Sequence, residues 1–235
     1  MGRDTGPQPA ADRPDEHASL NWYLLTRAVA VLISFNLFGL GGDAVNFDNQ
    51  KPGKLPPNWT ITATGTTQIP RWEARQDATA PSRPNVFEQL STTLADADSP
   101  LAIFDKAICR DGDLSVKFKI ANGPRRIKDA GMVWRYQDQR NYYLLRFSVD
   151  EKNVALFRVQ DGRMRTISMV PHDLRAGQWD VAKVIFRGPH FRVFVGNRQL
   201  FDATDDSLIA PGKTGLWTRA GTVASFDDFR IDKKE

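Results

Sequence analysis

From residue 45 onward the sequence predicts an all-β fold: a large two-sheet jelly roll of about 12–14 antiparallel strands. Three observations carry this. Short runs alternate apolar and basic residues, as in 116–120 (VKFKI) and, more loosely, 191–195 (FRVFV). Glycine-bearing turn signals separate such runs at short, regular spacing. No stretch of 45–235 keeps a 3.6-residue apolar period beyond about two turns, which argues against long helices.

The first segment is different in kind. Residues 1–21 are polar and rich in Pro, Ala and Asp, and Arg27 then precedes a 13-residue apolar run, 28–40 (AVAVLISFNLFGL). A membrane-spanning helix needs about 20 apolar residues. The run closes on glycines and the triplet Gly42-Asp43-Ala44, the small–x–small pattern of an export cleavage site. Residues 1–44 are therefore expected to be a signal peptide cut after Ala44, which places the rest in the periplasm or outside the cell. The acidic region ahead of Arg27 is long for a signal. An uncleaved anchor facing outward, a start codon nearer Leu20 or Leu24, and a buried core segment stay open.

In the remaining chain, 49–58 (NQKPGKLPPN) and 80–85 (APSRPN) read as loops, because proline cannot donate to a sheet ladder. Asp161-Gly162 joins 154–160 to 164–170 as a two-residue hairpin. Gly188-Pro189 divides 181–187 from 191–195, and Gly196-Asn197 divides that run from 199–203. Gly112, Gly123, Gly177 and Gly212 punctuate the rest. No internal repeat or low-complexity tract is visible, so 45–235 reads as one domain.

Composition narrows the function classes. With 41% hydrophobic and 26% charged residues the chain is no disordered polymer, and fourteen Phe, six Trp and four Tyr supply a core. The single Cys109 allows no internal disulfide and no thiolate zinc site. Net charge is +4, and removing three Arg and five acids with residues 1–44 raises it to +6. That excess is dispersed, which suits acidic surfaces but not a nucleic-acid patch. A membrane contact is expected only through residues 1–44, if these are retained.

Several stretches together resemble a known family: 131–146 (GMVWRYQDQRNYYLLR), 153–162 (NVALFRVQDG), Trp179, the strand pair over 190–203, and 212–217 (GKTGLW) with 223–229 (VASFDDF). They resemble the concanavalin A-like, laminin-G-like jelly rolls. The closest branch is the exported 3-keto-disaccharide hydrolase domain, a relative of family-16 glycoside hydrolases. The resemblance spans roughly residues 45–232 and is densest over 112–232. It implies a concanavalin A-like sandwich and cleavage of an oxidised disaccharide. It implies the fold more specifically than the activity, since this architecture carries lectins, hydrolases and adhesive modules.

Ordinary glycoside hydrolysis uses two carboxyl groups flanking the bond. Concanavalin-like laminarinases set them on one strand as Glu-x-Asp-x-x-Glu. The Glu residues here, 16, 73, 88, 151 and 235, are never within five positions of one another, so that motif is absent. A 3-keto group acidifies neighbouring C–H bonds and permits elimination and hydration instead. That route needs a base and a carbonyl polariser, and no base stands out. His172 and His190 follow prolines in turns, and neither a Gly-x-Ser-x-Gly nor a phosphate-loop motif occurs.

A sugar site wants an aromatic plane for the C–H face of a pyranose and planar polar groups for its hydroxyls. Trp134, Arg135, Tyr142, Arg146, Trp217 and Arg219 are the expected substrate-binding residues on a concave sheet. The competing reading puts Trp134, one Tyr and Trp217 in the core with the arginines solvated. No cofactor is called for. A structural calcium at Asp227 and Asp228 is the one metal expectation, although adjacent Asp on a strand point to opposite faces and calcium takes about six oxygens or more. Three functions follow: a carbohydrate-directed hydrolase, a non-catalytic glycan-binding or adhesion module, and a purely structural envelope protein. The first two expect an exposed Trp/Tyr/Arg cluster; the third expects Trp134 and Trp217 to be buried.

Overall fold

The computed structural model describes residues 42–66, 68–124 and 126–234. The signal run 28–40 lies outside them. Fifteen strands form, in chain order: β1 (Asp43–Val45), β2 (Trp59–Thr64), β3 (Trp72–Gln76), β4 (Asn85–Gln89), β5 (Ser99–Cys109), β6 (Asp111–Ile120), β7 (Asp129–Asp138), β8 (Asn141–Ser148), β9 (Asn153–Gln160), β10 (Arg163–Pro171), β11 (Trp179–Arg187), β12 (His190–Val195), β13 (Arg198–Thr204), β14 (Gly212–Thr218) and β15 (Ala224–Lys234). Among the described residues there is no helix.

All pairings are antiparallel and build two sheets. One runs β13-β12-β11-β6-β15-β4-β3, with β1 added beside β15; the other runs β10-β9-β8-β7-β14-β5-β2. The expected sandwich is present, with the chain termini of the domain paired: Asp43, Ala44 and Val45 face Ile231, Arg230 and Phe229. A cut after Ala44 would therefore fall inside a paired strand.

Local chemistry explains the elements. In β6 the apolar Leu114, Val116, Phe118 and Ile120 are buried while Lys117 and Lys119 face outward, as period-two alternation requires. The β9–β10 hairpin turns on Asp161 (φ 51°) and Gly162 (φ 77°), both left-handed, the conformation a type I′ turn needs and the reason Asp-Gly is favoured there. The inter-sheet core stacks Phe118 of one sheet on Phe147 of the other at 4.2 Å, and packs Trp134 against Tyr143, Phe186 and Phe191.

The seven-stranded sheet departs from simple alternation. From Asp129 through Arg135 in β7, and from Tyr142 through Ser148 in β8, every residue is buried. Its inner face belongs to the inter-sheet core, and its outer face carries a second apolar cluster of Leu101, Ile103, Val133, Tyr142, Leu144, Ala155, Phe157, Val159 and Trp217. Strands buried on both faces read as continuous apolar runs, which is how 142–145 (YYLL) and 130–134 (AGMVW) read.

Candidate functional site

The outer face of the seven-stranded sheet is organised in cross-strand rows. In the first, Arg219 donates its backbone N–H to Asp129 O, Asp129 faces Ser148, and Ser148 faces Asn153. In the second, Leu101 faces Trp217, Trp217 faces Gly131, Gly131 faces Arg146, and Arg146 faces Ala155. In the third, Ile103, Gly215, Val133, Leu144 and Phe157 follow in the same strand order. Tyr142 and Val159 continue into a fourth.

The small residues have a steric purpose. A Cβ at Gly131 would sit 3.3 Å from Trp217 Cε3 and 2.6 Å from Leu145 O, and one at Gly215 would sit 2.4 Å from Ala102 O. The indole of Trp217 therefore lies low across the sheet. The Arg146 guanidinium sits 5.2 Å from the centroid of Phe157, in cation–π range.

Four of the six expected site residues, Tyr142, Arg146, Trp217 and Arg219, meet on this face. Two do not. Trp134 stands opposite Tyr143, and paired residues share a face, so Trp134 points into the inter-sheet core with Tyr143 rather than outward with Tyr142. Arg135 is left-handed (φ 46°) within the β7 bulge, which swings its side chain into the end of the core. There it donates to the carbonyls of Arg110, Leu208 and Gly188 and pairs with Asp111 at 3.2 Å. It is a buried strut between loops.

The aromatic members of the face are covered as well. Tyr142 and Trp217 are each only 1% exposed. Burial pushes the Tyr142 phenol up, opposed by Thr64 and Trp217. The tryptophans thus follow the structural reading. The partly buried aromatic ring at the edge of this face is Tyr136, packed 5.9 Å from Tyr142 and lining a cleft of about 210 Å³ with Gln137 and Lys213.

The polar rim is where charge gathers. Arg146 pairs with Glu151, donates to Asn153 Oδ1 at 2.9 Å, and reaches Asp129 at 3.6 Å. Arg219 approaches the same Asp129 oxygen at 3.7 Å. Asp129 is fully buried, and desolvation raises its carboxyl above the usual range despite Ser148 and Arg146. Glu151 is lowered by its hydrogen bonds from Arg146. Glu151 and Arg219 remain open, with side chains 44% and 37% exposed. Asp129, Glu151 and Asn153 are not among the expected site residues, and Tyr136 lies within the candidate stretch 131–146 without being one of the six. The one signal available was proximity: Glu151 in the turn and Asn153 at the start of β9 follow Arg146 by five and seven residues.

Asp227 and Asp228 have protein partners. Asp227 accepts from the backbone N–H of Ser82 and of Asp228, each at 2.8 Å, and burial pushes its carboxyl up to about 6. Asp228 turns away at a left-handed bulge (φ 46°) to meet Lys117 at 2.7 Å. Among the described residues no group of three or more His, Cys, Asp or Glu is arranged to hold a metal.

No protein-family model matches the sequence, and no curated protein matches it. Solved structures do share the architecture. The carbohydrate-binding module CBM66 from Bacillus subtilis superposes with a TM-score of 0.59 at 17% identity, over 74% of this chain and 96% of that one. A β-glucanase from Bacillus licheniformis gives 0.54 at 12% identity, over 83% and 99%. The GH43 protein BlXynB from Bacillus licheniformis gives 0.52 at 14% identity, over 81% of this chain but 39% of that one. At such identities the likeness establishes the jelly-roll sandwich, the class to which this chain's fold belongs.

Proposed function

We propose that this chain is an exported, carbohydrate-directed β-sandwich that recognises a glycan at the polar rim of its seven-stranded sheet. The observation that carries the reading is the gathering of Tyr142, Arg146, Trp217 and Arg219 on one sheet face, with Asp129, Glu151 and Asn153 beside them. Among the described residues of this face no aromatic platform is exposed, so the reading rests on the open polar groups, and the buried rings of Tyr142 and Trp217 form a rigid floor beneath them. The open groups, Arg219 and Glu151, supply the planar donors and acceptors that vicinal hydroxyls need. The likeness to a carbohydrate-binding module and a β-glucanase is consistent with this use of the fold. Export rests on the apolar run behind Arg27.

A second reading is cleavage of a 3-keto-disaccharide, as the family resemblance implies. It is favoured by Asp129 and Glu151, both contacting Arg146 and shifted in opposite directions, which is how an acid and a base are set apart. Against it stands the burial of Asp129, which keeps that carboxyl from a glycosidic oxygen. Incubation with neutral glycans, disaccharides and their 3-keto derivatives separates the readings. Saturable binding without product, weakened by Arg219→Ala, supports recognition. Product formation abolished by Glu151→Gln would replace it with hydrolysis.

A further inference from the structure

Away from that face, the β9–β10 hairpin carries a cleft of about 210 Å³ lined by Arg158, Gln160, Asp161, Arg163 and Arg165. The register stacks these side chains. Arg163 faces Gln160 and Arg165 faces Arg158, so all four stand on one face of the two strands. Two guanidinium groups directly opposite one another repel. Only one is neutralised within the fold: Arg158 pairs with Asp205 at 2.8 Å and also donates to Ser207. Arg163 and Arg165 form no ion pair among the described residues. Arg140 adds a further cation at the turn, donating to Asp161 O at 2.9 Å.

β10 is an edge strand, and charge on an edge blocks pairing with other chains. Edge protection accounts for a charge; it does not account for cations set opposite one another around a concavity. We infer that this cleft is an anion subsite that takes a carboxylate on an acidic glycan, with Arg163 and Arg165 as its two forks. Arginine suits the task because its planar donors match a carboxylate bidentately. The inference extends the carbohydrate reading, but it uses different residues and fails separately.

The test uses the full chain, with a hexauronate and its carboxyl-reduced neutral counterpart as probes, at two salt concentrations. Wild type is expected to bind the hexauronate at least tenfold more tightly than the neutral oligomer, and to lose affinity as salt rises. Arg163→Gln/Arg165→Gln is expected to remove that preference while melting at the same temperature or higher, since a repulsion is relieved. Arg192→Gln, at an exposed arginine of β12 outside both sites, is expected to leave the preference intact. Inorganic sulfate should displace the hexauronate only at far higher concentration than a monomeric uronate, if a sugar-borne carboxylate is what fits. Equal binding of the two oligomers, no binding of either, an unchanged preference in the double variant, or equal binding of a single-stranded DNA oligomer would each overturn the inference. A hexauronate preference without any neutral-glycan binding would sink the rim proposal and leave this one standing.

Discussion

Arg146→Met tests the electrostatic frame of the rim. The substitution keeps an unbranched apolar stem over Phe157 and removes the charge. Asp129 would then be a buried carboxylate facing Arg219 alone, at 3.7 Å. Removing one partner of a buried pair costs about 3–5 kcal/mol. The exposed Glu151 contact adds at most about 1 kcal/mol. Arg219 offsets part of this, so a loss of about 3 kcal/mol at pH 7 is expected, or roughly 6–12 °C in Tm for a domain of this size. The pH dependence supplies the sharper test. Asp129 has a raised folded pKa, so its neutral form is favoured in the fold, and its contribution falls as pH rises out of the acid range. Glu151 has a lowered folded pKa, so its contribution is present at neutral pH and falls on acidification. Loss of Arg146 raises the Asp129 carboxyl further and removes the groups that hold Glu151 down, so the gap between wild type and variant is wide at pH 7 and narrows on acidification below about pH 4.5. Thermal unfolding followed by circular dichroism at pH 7 and near pH 4 reads it. A gap below 1 kcal/mol, or one equal at the two pH values, would refute the reasoning.

Gly215→Ala should cost roughly 2–3 kcal/mol in urea unfolding, because the new methyl meets the Ala102 carbonyl and the backbone there cannot withdraw. Asp227 carries a carboxyl raised to about 6, so its contribution to stability is complete below pH 4 and is lost as pH climbs through 6. Asp227→Asn should flatten the Tm profile over that interval. Cys109 is buried, with its thiol pushed up to about 11. At pH 8 a thiol reagent should titrate no cysteine in the folded protein and one in urea.

Much of the sheet architecture was legible because it is local. Alternation in 116–120 and the Asp161-Gly162 turn each encode an element within ten residues. Period-two alternation likewise sets Tyr142 and Leu144 on one face of β8 and Tyr143, Leu145 and Phe147 on the other. The placement of Trp134 went astray at a longer range. Its face depends on which β8 residue stands opposite across a bulged pairing, and that residue is Tyr143. Arg135 departs because a single left-handed residue reverses its direction. Asp129 could not be singled out at all. Nothing near it in sequence marks it, and its neighbour Arg219 arrives through the β7–β14 pairing of segments some eighty residues apart. The same holds for the burial of Trp217, which depends on Leu101, Gly131 and Leu144 meeting from three other strands.

The central claim is glycan recognition at the rim. Isothermal titration of the full chain with a panel of neutral and acidic glycans, repeated with Arg219→Ala, tests it most directly. The account predicts saturable, product-free binding of at least one glycan, with the affinity of a neutral ligand reduced about tenfold or more by loss of the Arg219 donors. No binding of any neutral glycan in the panel, even where an acidic one binds, or neutral-glycan binding indifferent to Arg219, would contradict it.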